Sequence, residues 1–299
     1  MALCFTFDSE ANQVLFTGNS DVKTVVLNRP EKLNTLCHEM LCQILKNIRL
    51  YENDPSVKLV IIKANGKVFS AGGDVVSVIT CSLAGHWSYI TMYYKKLLTL
   101  QYFMATYRKP SVSLIHGFAM GAGACLSMNT KFRVVTEKTV FAMPEASIGL
   151  FPDAGASYIL SRLPGYLGEY IGLTGAKLDG AEMVACGLAT HFVPSVKLNA
   201  LENALQTVTS NNVPIGTVIE KFTVKVDVKE GSSLRRLETI NKCFSKGTAE
   251  EIIICLWEPS KLELVSEEMV DQCFRNMNDE DFGYLQLPDR SNPEITSRL

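Results

Sequence analysis

Residues 116–163 decide the fold: HGFAMGAGACLSM (116–128), a three-residue polar link, then FRVVTEKTVFAMPEASIGLFPDAGASYILSRL (132–163). The first part ends an apolar run in glycines and alanines, where a strand turns into a helix. The second part holds two short strand-like runs, 132–136 and 140–143, and a loop with two carboxylates, Glu145 and Asp153. A permissive backbone beside acids in apolar surroundings suits a site that stabilises an anion and moves a proton.

Upstream, 111–115 predicts a strand, and Lys109-Pro110 ends a helix over about 86–107. The near-continuous apolar run 57–62 predicts a strand buried on both faces, which favours a parallel sheet. Before it, Leu36, Met40, Ile44 and Ile48 recur every four residues and predict a helix from about residue 34. Asn34 or Thr35 is expected to cap it and Asp54-Pro55 to end it. Residues 24–27 predict a strand, and 1–20 a weaker strand or hairpin. Downstream, a helix is expected over 155–163 and a largely helical pattern over 166–209. Strand–helix alternation that gives way to helices predicts an α/β core, 1–195, carrying the site, and a helical C-terminal region, 196–299.

The 299 residues are 47% hydrophobic, ample for a large core, and carry a net charge of −2. That balance points away from nucleic acid and from an anionic membrane surface. No apolar run reaches the length of a membrane span. The start, MALCFTFDSE, lacks the basic flank of a signal peptide. Nine cysteines without a CxxC pair or a His/Cys cluster predict buried free thiols, and no metal. Ser297-Arg298-Leu299 matches a peroxisomal address, with the cytoplasm as the alternative location.

Two strand-to-turn junctions could present backbone amides: Ser70-Ala71-Gly72-Gly73-Asp74 and Met120-Gly121-Ala122-Gly123-Ala124. One N–H from each, aimed at one point, makes an oxyanion hole. The second is not a dinucleotide fingerprint, because Leu126 stands where the third glycine would be. Glu145, among Met143, Pro144, Ile148 and Leu150, is poorly solvated, which raises its pKa toward general acid/base use. Asp153 is either a second carboxylate of that pocket or the N-cap of the helix after it, and capping is the commoner job for an aspartate alone. His116 is expected to pack rather than react.

The segments LNRPEKLNTL, FSAGGD, HGFAMGAGACLS and FAMPEASIGLFPDAGASYILSRLPG stand in the order found in the crotonase superfamily, which the chain resembles over about residues 14–257. The resemblance implies a core of repeated ββα units wound as a spiral. It implies an acyl-CoA substrate, with CoA part of the substrate and no separate cofactor. The thioester oxygen would be held by the amides of Ala71 and Ala122. Gly72, Gly73, Asp74, Gly121, Gly123 and Leu97 would contact substrate. Cys125 stands where enoyl-CoA hydratases carry their first glutamate, and Glu145 matches their second. Asp153 makes the chain similar to 3-hydroxyisobutyryl-CoA hydrolases, which implies thioester hydrolysis. Those hydrolases often have Glu or Gln near Leu97, and they have further residues between about 257 and 266 that this sequence lacks. Two other readings remain: an enoyl-CoA isomerase working with Glu145 alone, and a CoA-binding paralogue with weak or no activity. The implied partners are an acyl-CoA, a peroxisomal import receptor and, as is common in the superfamily, further copies of the chain. Arg29 and Lys32 are solvated loop charges or contacts to the CoA phosphates.

Overall fold

The computed structural model describes residues 12–208 and 213–256. The chain starts with a hairpin of β1 (Val14–Gly18) and β2 (Val22–Leu27). The helix α1 (His38–Asn53) then leads to β3 (Leu59–Ala64), which runs parallel to β2. Two helices follow, α2 (Val75–Leu83) and α3 (Trp87–Ala105). Next come β4 (Ser111–Ile115), β5 (Phe118–Met120), α4 (Gly121–Met128), β6 (Phe132–Val135) and β7 (Val140–Ala142). The rest is mostly helical: α5 (Ala156–Leu160), α6 (Leu167–Thr174), β8 (Leu178–Asp179), α7 (Gly180–Ala185) and β9 (His191–Phe192), then α8 (Leu198–Gln206), α9 (Ile215–Glu220), α10 (Leu237–Phe244) and α11 (Ala249–Leu256).

The strands make two sheets. The larger has the order β1-β2-β3-β4-β6-β9, parallel apart from β1; the smaller is β5-β7-β8. The chain visits them in turn: β4 then β5, β6 then β7. This is the repeated strand–strand–helix unit. A single parallel bridge, Ser70 to Ala119, carries the junction at residues 70–74 alongside β5. The two glycine-containing junctions are therefore neighbours because of the sheet, not because of sequence.

Apolar periodicity fixes which faces are covered. Met40, Leu41, Ile44, Leu45 and Ile48 of α1 are buried on one side of the large sheet, in a core shared with α3 and α4. Leu201 and Leu205 of α8 and Ile219 of α9 cover the other side, against Leu59, Ile61, Val112 and Val134. β3 is buried along residues 59–62, as the near-continuous apolar run 57–62 predicts, and β4 is buried throughout although Ser111 and Ser113 interrupt its apolar residues.

Some expectations are corrected. The first helix starts at His38, with no side-chain cap. Asn34 is instead in the left-handed region, φ 52°. Its amide donates to the Asn65 and Val68 carbonyls at 2.9 and 2.8 Å and accepts the Arg29 N–H at 2.7 Å, stapling three loops. The helix α2 and the two-residue strands β8 and β9 lie in stretches whose local pattern does not announce them. Ser297-Arg298-Leu299 and most of the 196–299 region's second half lie outside the described residues.

Candidate active site

A cavity of about 420 Å³ opens where α4 begins. Its walls come from the 70–74 junction, α2, α3, the first turn of α4 and the loop from Pro144 to Asp153. Most of the lining is apolar: Val75, Val78, Ile79, Leu97, Ile148 and Leu150. Apolar walls keep water scarce, which strengthens any electrostatic contact inside.

Two residues that line this space have amides with no hydrogen-bond partner among the described residues. Ala122 is in the first turn of α4, where N–H groups have no partner within the helix. Its nitrogen lies 3.9 Å from the point a Cβ on Gly72 would occupy, so the junctions touch. The other amide is not that of Ala71, because Ala71 N–H donates to the Leu33 carbonyl at 3.0 Å. The expected donor is thus already engaged. The chain beyond it pairs with residue 36: Leu36 N–H donates to Gly72 O at 2.8 Å and Asp74 N–H to Leu36 O at 3.2 Å. In extended chain successive amides point opposite ways, so Gly73 N–H faces away from Leu36. It has no protein partner among the described residues, and Gly73 lines the cavity. Tyr93 braces this segment: its O–H donates to Leu36 O at 2.9 Å and accepts Asp74 N–H at 3.1 Å.

Glu145 sits on a 3-10 turn, Pro144–Ile148, and is only 8% exposed. Its Oε1 lies 2.6 Å from where a Cβ on Gly121 would be, so a side chain there would displace the carboxylate. Its Oε2 is buried without a hydrogen-bond partner among the described residues. Burial, and then the charge of Asp153, push the Glu145 carboxyl up to about 7. Asp153 is also raised by burial. It does not cap α5, whose N-cap is Gly155 with no side-chain bond; only its carbonyl accepts the Ala156 N–H, at 2.7 Å. Both acids line the same cavity.

A family description for enoyl-CoA hydratase/isomerase matches residues 22–271. The chain belongs to that family. It is 52% identical over 254 residues to the probable 3-hydroxyisobutyryl-CoA hydrolase 3 of Arabidopsis thaliana, covering 85% of this chain and 67% of that one. It is 51% identical over 246 residues to the 3-hydroxyisobutyryl-CoA hydrolase 1 of the same plant, covering 82% and 65%. The chain thus spans about two thirds of the length of these curated relatives. Among solved structures, a carnitinyl-CoA dehydratase from Mycobacterium thermoresistibile superimposes with a TM-score of 0.77 at 29% identity, covering 88% of this chain and 74% of that one. The crotonase fold expected from the motifs is the one observed.

Within this family frame, the expected contact residues separate into two groups. Gly72, Gly73, Gly121 and Leu97 line the cavity. Asp74 and Gly123 do not. The Asp74 carboxylate accepts Ser77 N–H at 3.2 Å, capping α2, and pairs with Arg29 at 2.9 Å. Arg29 is therefore a half-buried charge paired with Asp74, while Lys32 is exposed. A side chain on Gly123 would strike Ser70, so this glycine serves close packing of α4 on the 70–74 junction. Cys125 is buried in α4 and its thiol is raised by burial, so it supplies no acid or base at the hydratase position. His116 packs, with Nδ1 3.2 Å from Thr136 Oγ1. Tyr93 and Tyr94 of α3 also line the cavity and are not singled out from the sequence. Their signal was spacing: they lie four and three residues before Leu97, on one helix face.

Proposed function

We propose that the chain hydrolyses the thioester of a short, branched 3-hydroxyacyl-CoA, namely 3-hydroxyisobutyryl-CoA, giving 3-hydroxyisobutyrate and CoA as in valine breakdown. The observation that carries this reading is Glu145 and Asp153 in one apolar cavity with the unpaired amides of Gly73 and Ala122. The names of the plant relatives support the substrate. The thioester oxygen accepts from the two amides, which stabilise the negative charge it gains. Glu145, ionised, either attacks the carbonyl carbon, giving a mixed anhydride that water then hydrolyses to the acid and free Glu145, or takes a proton from a water that attacks the carbonyl carbon directly. The carbon–sulfur bond breaks and the CoA thiolate leaves, protonated by way of Asp153. Cys125 stands where the enoyl-CoA hydratases carry their first acid, which points away from hydration.

Thiol release from 3-hydroxyisobutyryl-CoA by the purified chain tests this, with 3-enoyl-CoA isomerisation followed in parallel. We expect turnover, and a loss of about 10²–10⁴-fold in kcat/KM on Glu145→Ala. Equal rates for the two proteins, or isomerisation without thiol release, would overturn the hydrolase reading. Import into peroxisomes through Ser297-Arg298-Leu299 belongs to the same proposal; a fluorescent fusion ending in these residues should enter the organelle and one lacking them should not.

A further inference from the structure

Leu97 leaves a question. It is 2% exposed, lines the cavity and cannot hydrogen-bond a hydroxyl on the acyl chain. Among the described residues, four lining side chains carry polar atoms: Tyr93, Tyr94, Glu145 and Asp153. The Tyr93 hydroxyl is used twice, on Leu36 and Asp74. The two carboxylates belong to the chemistry. That leaves the Tyr94 hydroxyl, which has no hydrogen-bond partner among the described residues. We infer that Tyr94 is the specificity-determining residue that recognises the hydroxyl of a 3-hydroxyacyl substrate. The inference rests on the thioester reading above and names its hydroxyl contact.

The placement fits the task. Tyr94 precedes Leu97 by three residues on α3, so both present the same face to the cavity. Its ring meets Tyr93 edge-on, centroids 5.5 Å apart at 85°, and Tyr93 is itself locked by its two hydrogen bonds. A phenol on a braced ring is an oriented donor rather than a swinging one. Burial, with Asp153 nearby, raises the phenol further, so it keeps its proton across the neutral range. A neutral donor pairs with a substrate hydroxyl without adding a charge beside Glu145. Against an acyl chain without that hydroxyl, the phenol is desolvated and left unpaired, which disfavours the wrong substrate.

The test compares 3-hydroxyisobutyryl-CoA with isobutyryl-CoA, which has the same carbon skeleton and no hydroxyl. The readout is the ratio of their kcat/KM values, in wild type and in Tyr94→Phe. Phenylalanine keeps the ring contact with Tyr93, so the fold is retained. We expect the ratio to fall by about 10–100-fold in the variant, mostly through KM for the hydroxylated substrate. An unchanged ratio, including an equal loss on both substrates, would overturn the inference and leave Tyr94 a support for Asp153. Failure of the thioester reading looks different: wild type releases no thiol from either compound. Calorimetric titration with both CoA esters then decides, since a Tyr94→Phe loss of affinity confined to the hydroxylated ester supports the inference. Equal affinities, or no binding of either ester, overturn it.

Discussion

Glu145 is held in its position by what surrounds it and not by another side chain among the described residues. Gly121 yields the space for one oxygen, and the other is buried with nothing to accept from among the described residues. The working form of the carboxylate, as nucleophile or base, is the ionised one. Burial makes that form scarce below about 7. The kcat/KM for thiol release should therefore rise with pH through about 7 and level off above it. Asp153→Asn removes the like charge that adds to the shift. The acid limb of the profile should then move to lower pH while the plateau drops, as Asp153 no longer passes a proton. A profile whose midpoint stays put in Asp153→Asn would mean that the two acids do not feel one another.

At the scale of elements, the site depends on α4 lying directly on the 70–74 junction, and Gly123 is the contact. Gly123→Ala drives a methyl into Ser70, which is itself tied to the Asn34 carbonyl at 2.8 Å. Overpacking there should cost on the order of 1–3 kcal/mol, seen as a lower midpoint in urea, with kcat/KM reduced as Ala122 is displaced. An unaltered midpoint would show the junction to be looser than drawn. The sequence makes much of this arrangement legible. β4 was bounded correctly and β6 and β7 fell within a residue of their ends, because glycine, proline and polar residues punctuate them, while β5 was hidden in what reads as the turn into α4. The helix α2 escaped because VVSVITCSL is rich in β-branched residues, and apolar Val76, Cys81 and Leu83 blur the i, i+3, i+4 spacing of Val75, Val78 and Ile79. Choosing Gly73 over Ala71 was beyond local pattern. Which amide is free depends on pairing with Leu33 and Leu36, a register set nearly forty residues away. Asn34 was misjudged for the same reason, since its loop partners are Asn65 and Val68.

At the scale of the molecule, a buried carboxylate with one oxygen unpaired among the described residues works against the fold that holds it, and the cost should be measurable as stability. The Pro144–Ile148 turn packs on α6, and Tyr170 of α6 meets Phe244 of α10 edge-on, with centroids 5.3 Å apart at 83°. Residues of α10 and α11 share one buried cluster with α1, α3 and α4. Strain at Glu145 is therefore felt by a continuous core, and global unfolding reads it. The carboxyl has a folded value raised to about 7 from its ordinary 4.5, so the folded state holds this proton more tightly than the unfolded chain does. The stabilisation that this proton gives is full below 4.5 and is lost as pH rises through about 7. Glu145→Gln keeps the shape and never ionises. Near pH 8 the variant should unfold a few degrees above wild type. Toward about pH 4.5 the two melting temperatures should converge, because wild type is then protonated as well. A variant that melts no higher than wild type at the alkaline end would mean that the ionised Glu145 finds compensating contacts in the whole protein, and its desolvation would no longer explain its reactivity.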